Sequence, residues 1–208
     1  GSVGSQLSYN GGSQSGICRI TDYVSETVAN MEVLSRFFSL SGTSSWDYST
    51  WSDYDGWPAA VEVFGGRLYW GKGDMINGSV PDAFKSFDDE VEGDSAPIAR
   101  SVNSNSQRGI LWLLGLQRLI AGTDVSEISV KASSFDDPLT ASSWFPVDAS
   151  TRGSFNIRAV KTDTDGVFVQ ASGTGVFRLT RDQQGIDYAS SDLMAMHEEI
   201  CDGSEIVD

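Results

Sequence analysis

The sequence contains few of the residues from which catalytic and metal centres are usually built. It has two cysteines and one histidine. His197 has no GxSxG segment and no Cys-x-x-Cys pair elsewhere in the chain that would complete a nucleophilic or zinc site. Cys18 and Cys201 lie near opposite ends of the sequence, which favours two reduced thiols over a disulfide. We therefore predict no catalytic residue, no cofactor and no enzymatic activity.

Basic residues are scarce as well. Lys and Arg number 14 against 29 Asp and Glu, which gives a formal net charge of -15 at pH 7. Proteins that bind nucleic acids gain affinity by placing Lys and Arg along the phosphates. The charge balance argues against tight DNA binding, and it fits either an ordinary acidic surface or a wall along which DNA slides without adhering.

Long apolar runs are missing. No segment approaches the ~20 apolar residues that span a bilayer, and the first residues lack the basic-then-apolar order of a secretory signal. We expect a soluble protein that is made in the cytoplasm and does not bind membranes. The chain opens Gly1-Ser2-Val3-Gly4-Ser5 without an initiator Met, from which we expect a portion of a longer protein.

The residues that are abundant indicate an all-β fold. Glycine is frequent at 22 residues, proline is sparse at five, and aromatic residues make up 11% of the chain. Short apolar runs separated by Gly, Ser and Asp are typical of strands joined by tight turns. We predict a flexible linker over residues 1–15, a small β-hairpin element over 16–45 and a propeller-like β domain over 46–191. Residues 192–208 are predicted as a short terminal helix and tail, since Asp192 can cap a helix whose apolar face carries Leu193, Met196 and Ile200.

A repeat of antiparallel meanders is predicted within the large domain. The turn at Gly65-Gly66 leads into a short strand that begins at Arg67, and similar strands recur further along the chain. Taking Leu68, Leu119 and Phe168 as equivalent gives steps of 51 and 49 residues, close to the ~40 to 50 residues of a propeller blade. A β-sandwich is the alternative, although its spacing is less even. The predicted strands cover residues 59–64, 67–70, 75–80 and 84–87, then 98–114, 118–122, 127–132 and 143–147, then 156–161, 166–170 and 176–180.

An aromatic cluster lies in the polar segment before this domain. Its members are Trp46, Trp51, Tyr54 and Trp57. Aromatic rings on a polar loop can stack against sugars, or they can pack a long connection onto the neighbouring domain. Both interpretations stay open from the sequence.

Acidic residues concentrate over residues 86–94, with further pairs at Asp136-Asp137 and Asp163/Asp165. Carboxylates at this density can bind Ca²⁺ or Mg²⁺, but Lys161 stands where a calcium loop would need its first aspartate. We predict solvated acidic loops and no metal site.

Several segments together resemble a known family. Residues 57–71 resemble the pattern WP-x-x-V-x-F-x-x-GRL-x-x-G, with Val63 at the position of its Phe. Residues 76–79 match I-x-G-S, and Phe87-Asp88-Asp89 matches F-D-D. Further on, residues 111–123 with Glu127 are similar to a segment that contains L-x-x-GT and a following Glu, and Pro138-Leu139-Thr140 also fits. These are patterns of the nozzle, or tail tubular B type, proteins of short-tailed bacteriophages.

The resemblance implies a structural role in a virion. Members of this family form a ring below the portal and adaptor, carry propeller-like β domains and surround the DNA exit channel. It implies copies of the same chain and other tail or adaptor proteins as partners, DNA that passes without tight binding, and a location in the virion tail after assembly in the host cytoplasm. The alternative is a β module that binds glycans or a receptor through Trp46, Trp51, Tyr54 and Trp57.

Overall fold

The chain folds into antiparallel sheets organised as two units. The computed structural model describes residues 6–10, 15–37, 41–42, 47–48, 50–53, 55–87, 91–102, 109–132, 137–181, 187–196 and 204–207. Within these ranges the protein is all-β, as predicted, and its helical structure is one 3-10 turn at Gly93–Ser95. The two compact units are Gly1–Trp57 and Pro58–Asp208, so the division falls after Trp57 and not at the predicted position between residues 45 and 46.

The described residues of the first unit form one four-stranded sheet with the strand order β3-β2-β1-β4. The predicted hairpin is confirmed, with its turn at Glu26 and Thr27. Part of the predicted linker instead forms β1, whose backbone pairs with β2. The strands are β1 Gln6–Asn10, β2 Ser15–Ser25, β3 Val28–Ser35 and β4 Asp47–Tyr48.

The described residues of the second unit form three four-stranded meanders, which we call the first, second and third blades. In each blade the strands are neighbours in the order in which they occur along the chain. The first blade comprises β5 Ala60–Phe64, β6 Arg67–Lys72, β7 Met75–Gly78 and β8 Ile98–Ser101. The second comprises β9 Ile110–Gly115, β10 Leu119–Thr123, β11 Glu127–Lys131 and β12 Phe145–Ser150. The third comprises β13 Val160–Thr162, β14 Asp165–Val169, β15 Val176–Arg181 and β16 Tyr188–Asp192.

The predicted repeat agrees with these blades. Leu68, Leu119 and Phe168 each lie on the second strand of a blade, on β6, β10 and β14. The turn before β6 uses Gly65 and Gly66 at positive φ values of 54° and 75°, a backbone conformation that glycine adopts without steric cost. The glycine turns and the even spacing therefore located the inner strands of the blades correctly.

The outermost strands were predicted less well. Residues 84 and 85 form a turn, and residues 86 and 87 belong to no strand. The fourth strand of the first blade is β8, which lies in the segment predicted for the second repeat. The fourth strand of the third blade, β16, was not predicted. These strands lie at sheet edges, and most of their residues are exposed or half-buried, so their sequences lack strong apolar alternation.

The predicted terminal helix is also wrong over its described part. Asp192 is the last residue of β16, where it pairs with Phe177, and residues 193–196 form bends and turns. The Asp192 carboxylate accepts a hydrogen bond from the backbone N–H of Met194 at 2.7 Å, a local turn that competes with a helical cap. Residues 197–200 lie outside the described ranges.

Two apolar clusters hold the blades together, and the second blade contributes to both. Leu119 and Ala121 of β10 pack into the cluster shared with the first blade, whereas Ile120 between them packs into the cluster shared with the third. This alternation follows from the two-residue period of a strand. Leu113 and Leu114 of β9 likewise pack into different clusters, so β9 is buried on both faces.

Candidate functional site

Arg67, the arginine of the GRL segment, is a buried cation that holds a long connection. It lies at the start of β6 with 3% of its surface exposed. Its guanidinium donates hydrogen bonds to the carbonyl oxygens of Ser79 at 2.6 Å, Ala96 at 2.7 Å and Asp94 at 2.5 Å. Burial lowers the pKa of Arg67, while the nearby Tyr69 and Asp94 act in the opposite direction. With its donors directed at backbone carbonyls, Arg67 ties the residue that follows β7 to the residues just before β8.

Glu127, the acidic residue after the L-x-x-GT segment, is fully buried on β11. Its carboxylate oxygen Oε1 accepts a hydrogen bond from Ser154 Oγ at 2.7 Å, and the Ser154 N–H donates to the carbonyl oxygen of Thr123 at 2.7 Å. Burial raises the pKa of Glu127, and hydrogen bonds such as that from Ser154 partly oppose the rise. A raised pKa is common among catalytic acids, but a carboxyl group with no exposed surface does not meet a substrate. Glu127 instead anchors the connection between the second and third blades.

A second polar cluster joins the second and third blades, between the start of β16 and the residues around β10 and β11. Asp187, just before β16, lies 3.1 Å from Nη1 of Arg118 and also forms an ion pair with Lys131. The neighbouring Tyr188 hydroxyl accepts a hydrogen bond from the backbone N–H of Gln117 at 3.1 Å. Burial raises the pKa of Tyr188. These contacts couple the start of β16 to the turn between β9 and β10.

The structure describes two of the four residues proposed for sugar stacking. Trp57 exposes 59% of its surface, and its indole N–H donates to the Asp53 carboxylate at 2.9 Å. Trp51 is half-buried. Trp46 and Tyr54 lie outside the described residues, so the four-residue stacking set stays a prediction.

The acidic segments differ in their surroundings. Asp94 Oδ1 accepts a long hydrogen bond from Ser142 at 3.4 Å, and Asp165 forms an ion pair with Arg178. Asp88, Asp89 and Asp136 lie outside the described residues. Within the described part of the chain, no three Asp, Glu, His or Cys side chains converge as metal ligands.

The feature that sequence reasoning missed is an exposed apolar surface on the first unit. Every residue of β3 is exposed, and the exposed fractions are 51% for Val28, 43% for Met31, 53% for Val33 and 44% for Leu34. Tyr23 and Val24 at the end of β2 are similarly exposed. We call these six residues the hairpin surface. A period-2 apolar pattern normally marks the buried face of a strand, and it did not reveal that this hairpin is uncovered.

Exposed apolar residues grouped in this way mark interaction sites in soluble proteins. The hairpin surface also lies at a sheet edge, because β3 is the outermost strand. Its polar contacts include one ion pair across the hairpin, between Arg19 and Glu32 at 3.7 Å. The hairpin surface is therefore the best candidate for a functional surface on this chain.

The fold and this surface define the class as an all-β protein with three blade-like meanders and an uncovered apolar hairpin. No family model matches the chain, and no curated protein matches it at a significant level of similarity. In the described residues, no helix is both long and apolar enough to cross a membrane.

Proposed function

We propose that the protein is a structural subunit of a bacteriophage tail, of the nozzle type that its sequence motifs resemble. The observation that supports association with another chain is the hairpin surface, since Val28, Met31, Val33 and Leu34 stay about half exposed in the single chain, whereas the closed ring is proposed from the resemblance. Apolar area of this kind is stabilised when a partner covers it. The phage-tail part rests on the resemblance.

The roles of the motif residues support a structural function. Arg67 holds the connection between β7 and β8, and Glu127 holds the connection between the second and third blades. Gly122 lies directly opposite Trp112 on the neighbouring strand, where a larger residue would meet the indole ring. The segments that carry the resemblance thus maintain the blades. In the proposed assembly, the chain forms a ring with copies of itself and contacts other tail or adaptor proteins.

The net charge of -15 supports a passive relation to DNA. An acidic wall repels the phosphate backbone, so DNA would move past it without being retained. The test is an electrophoretic mobility assay with double-stranded DNA at about 50 mM and about 200 mM salt. We expect no retained complex at micromolar protein in either condition. Micromolar binding that weakens with salt would contradict the proposal.

One observation favours a second function, that of a glycan-binding module. The exposed Trp57 indole is held by Asp53, and a fixed aromatic ring suits stacking against a sugar. Replacement Trp57→Ala separates the functions on a glycan array, with Trp57→Phe as the matched control that keeps a ring. Glycan retention that is lost in Trp57→Ala and kept in Trp57→Phe, at an unchanged melting temperature, would favour the binding module. Absence of retention by the native chain would favour the structural subunit.

A further inference from the structure

The strand β3 carries a pattern that reads the same in both directions. Residues 28–34 run apolar, apolar, polar, apolar, polar, apolar, apolar, with Met31 at the centre. The residues in order are Val28, Ala29, Asn30, Met31, Glu32, Val33 and Leu34. Antiparallel pairing of two identical strands brings each residue opposite its mirror position. A palindromic pattern is therefore self-complementary.

The backbone of β3 is placed for such pairing. It is the outermost strand of its sheet, and its pairing with β2 uses one side of the strand. The pairing includes each residue from Val28 to Val33, whereas Leu34 forms a β-bulge between Val33 and Ser35. Alternate residues of an edge strand direct their N–H and C=O groups outward, where they can pair with another strand. All eight residues of β3 are exposed, so side chains on both faces of the strand are accessible to a partner.

We propose that β3 pairs with β3 of a second copy of this chain, antiparallel and with the two-fold axis at Met31. Ala29 then lies opposite Val33 of the second copy and Asn30 opposite Glu32, each contact occurring twice. Val28 meets the bulged Leu34 at each end of this pairing. Apolar residues meet apolar residues, and the Asn30 amide can donate to the Glu32 carboxylate. The four-stranded sheet of each copy continues through this contact into one eight-stranded sheet.

The neighbouring two-fold registers are less favourable. With the axis at Glu32, the two Glu32 carboxylates lie opposite each other and Asn30 lies opposite Leu34. With the axis at Asn30, Val28 lies opposite the charged Glu32. Like charges directly opposite each other destabilise a sheet, whereas apolar and opposite-charge pairs stabilise it. The side-chain pattern therefore selects the register centred on Met31.

Charges at the ends of β3 support the same register. Glu26 lies in the turn before β3 and Arg36 directly follows it, and both are exposed. Pairing about Met31 brings Glu26 to the end of the contact where Arg36 of the second copy lies. This opposite-charge pair occurs at both ends and supplies charge complementarity beyond the apolar pattern.

This contact goes beyond the proposed function and does not depend on it. A two-fold contact joins two copies and closes, whereas a ring of more than two copies needs head-to-tail contacts through other surfaces. Failure of β3 pairing would leave the ring proposal intact, and failure of ring formation would leave this pairing intact.

The first experiment is disulfide crosslinking of single-cysteine replacements under oxidising conditions. Met31→Cys places two thiols directly opposite each other across the axis, at a Cβ separation of about 5 Å that a small shift brings within disulfide range. Val28→Cys is the matched control, because the two Val28 positions are about 20 Å apart along the strands. The native chain measures the background from Cys18 and Cys201. We expect a covalent dimer of Met31→Cys alone, and equal yields for Met31→Cys and Val28→Cys would overturn the register.

The second experiment measures the dimer by sedimentation velocity. Glu26→Arg and Arg36→Glu each create two like-charge contacts, and we expect each to raise the dimer Kd by about 10-fold to 100-fold. The double variant restores the opposite-charge pairs and is expected to return to within about 3-fold of the native Kd. Both residues are exposed, and circular dichroism checks that the variants fold. A native chain that is monomeric up to about 100 μM, or a double variant as weak as the single ones, would overturn the proposal.

Discussion

The substitution Gly122→Ala tests the packing between the second and third blades. Gly122 on β10 lies opposite Trp112 on β9, and a Cβ atom on Gly122 would lie 2.0 Å from Cε2 and 2.3 Å from Cζ2 of the indole. Trp112 is 2% exposed, and its ring lies 5.9 Å from that of Phe168, measured between centroids. The indole therefore has little room to move aside. Overpacking of a buried site costs about 1 to 3 kcal/mol, which corresponds to a fall in melting temperature of roughly 3 to 10 °C for a chain of this size.

The measurement is thermal unfolding followed by circular dichroism and tryptophan fluorescence. Gly109→Ala is the matched control, because a Cβ atom there meets no heavy atom within 4 Å. A second test places Gly122→Ala in a Trp112→Leu background, where the smaller side chain removes the clash and the two costs should not add. An unchanged melting temperature for Gly122→Ala, or simple additivity with Trp112→Leu, would refute this account of the packing.

Three further substitutions test the contacts between connections and blades. Arg67→Lys keeps the charge but cannot reach three carbonyl oxygens, so we expect a loss of about 2 kcal/mol in the free energy of unfolding measured with urea; a loss below about 0.5 kcal/mol would contradict the role of Arg67. Burial raises the pKa of Glu127 in the folded state above its ordinary value of 4.5. The folded chain therefore holds this proton more tightly than the unfolded chain does. The resulting stabilisation is complete below pH 4.5 and is lost as the pH rises through the pKa of the folded state. Glu127→Gln cannot titrate, so the free energy of unfolding of the native chain should fall relative to that of the variant by at most about 1.4 kcal/mol per pH unit. Urea midpoints of the two proteins that change in parallel from pH 4.5 upward would contradict this expectation. Asp187→Asn removes the carboxylate that Arg118 and Lys131 share, and we expect the free energy of unfolding to fall by about 1 to 3 kcal/mol. Asp137→Asn, at an exposed site, is the control and should change the urea midpoint little.

The blades could be predicted because their inner strands carry strong local signals. Gly65 and Gly66 mark a turn that requires positive φ, and the apolar strand β10 that begins at Leu119 is buried along its whole length. No local signal assigned strand β8 to the first blade, since the residues just before it are held by the distant Arg67. Contacts between residues far apart in sequence are not encoded in a local pattern.

The terminal segment shows how a local pattern can mislead. The spacing of Leu193 and Met196 after Asp192 is typical of a capped helix, but Asp192 completes the ladder between β15 and β16. Met196 is 90% exposed, so no apolar face packs there to stabilise a helix. Tertiary pairing of the strand outweighs the weak helical preference of a short segment.

The candidate surface was hidden from the sequence for a related reason. Apolar alternation at Ala29, Met31 and Val33 predicts a strand with one face in a core, and the strand is present. Whether another part of the molecule covers that face depends on the number and placement of the other sheets. Burial is a property of the whole fold, and the exposure of these residues became visible only in the structure.

The central claim, that this chain is a structural subunit of a phage tail, is tested most directly by electron microscopy of the intact gene product. We predict closed rings of the isolated protein, and the same density at the tail of virions when the protein is labelled. Particles that stay single at all protein concentrations, together with virions that lack the label, would contradict the claim.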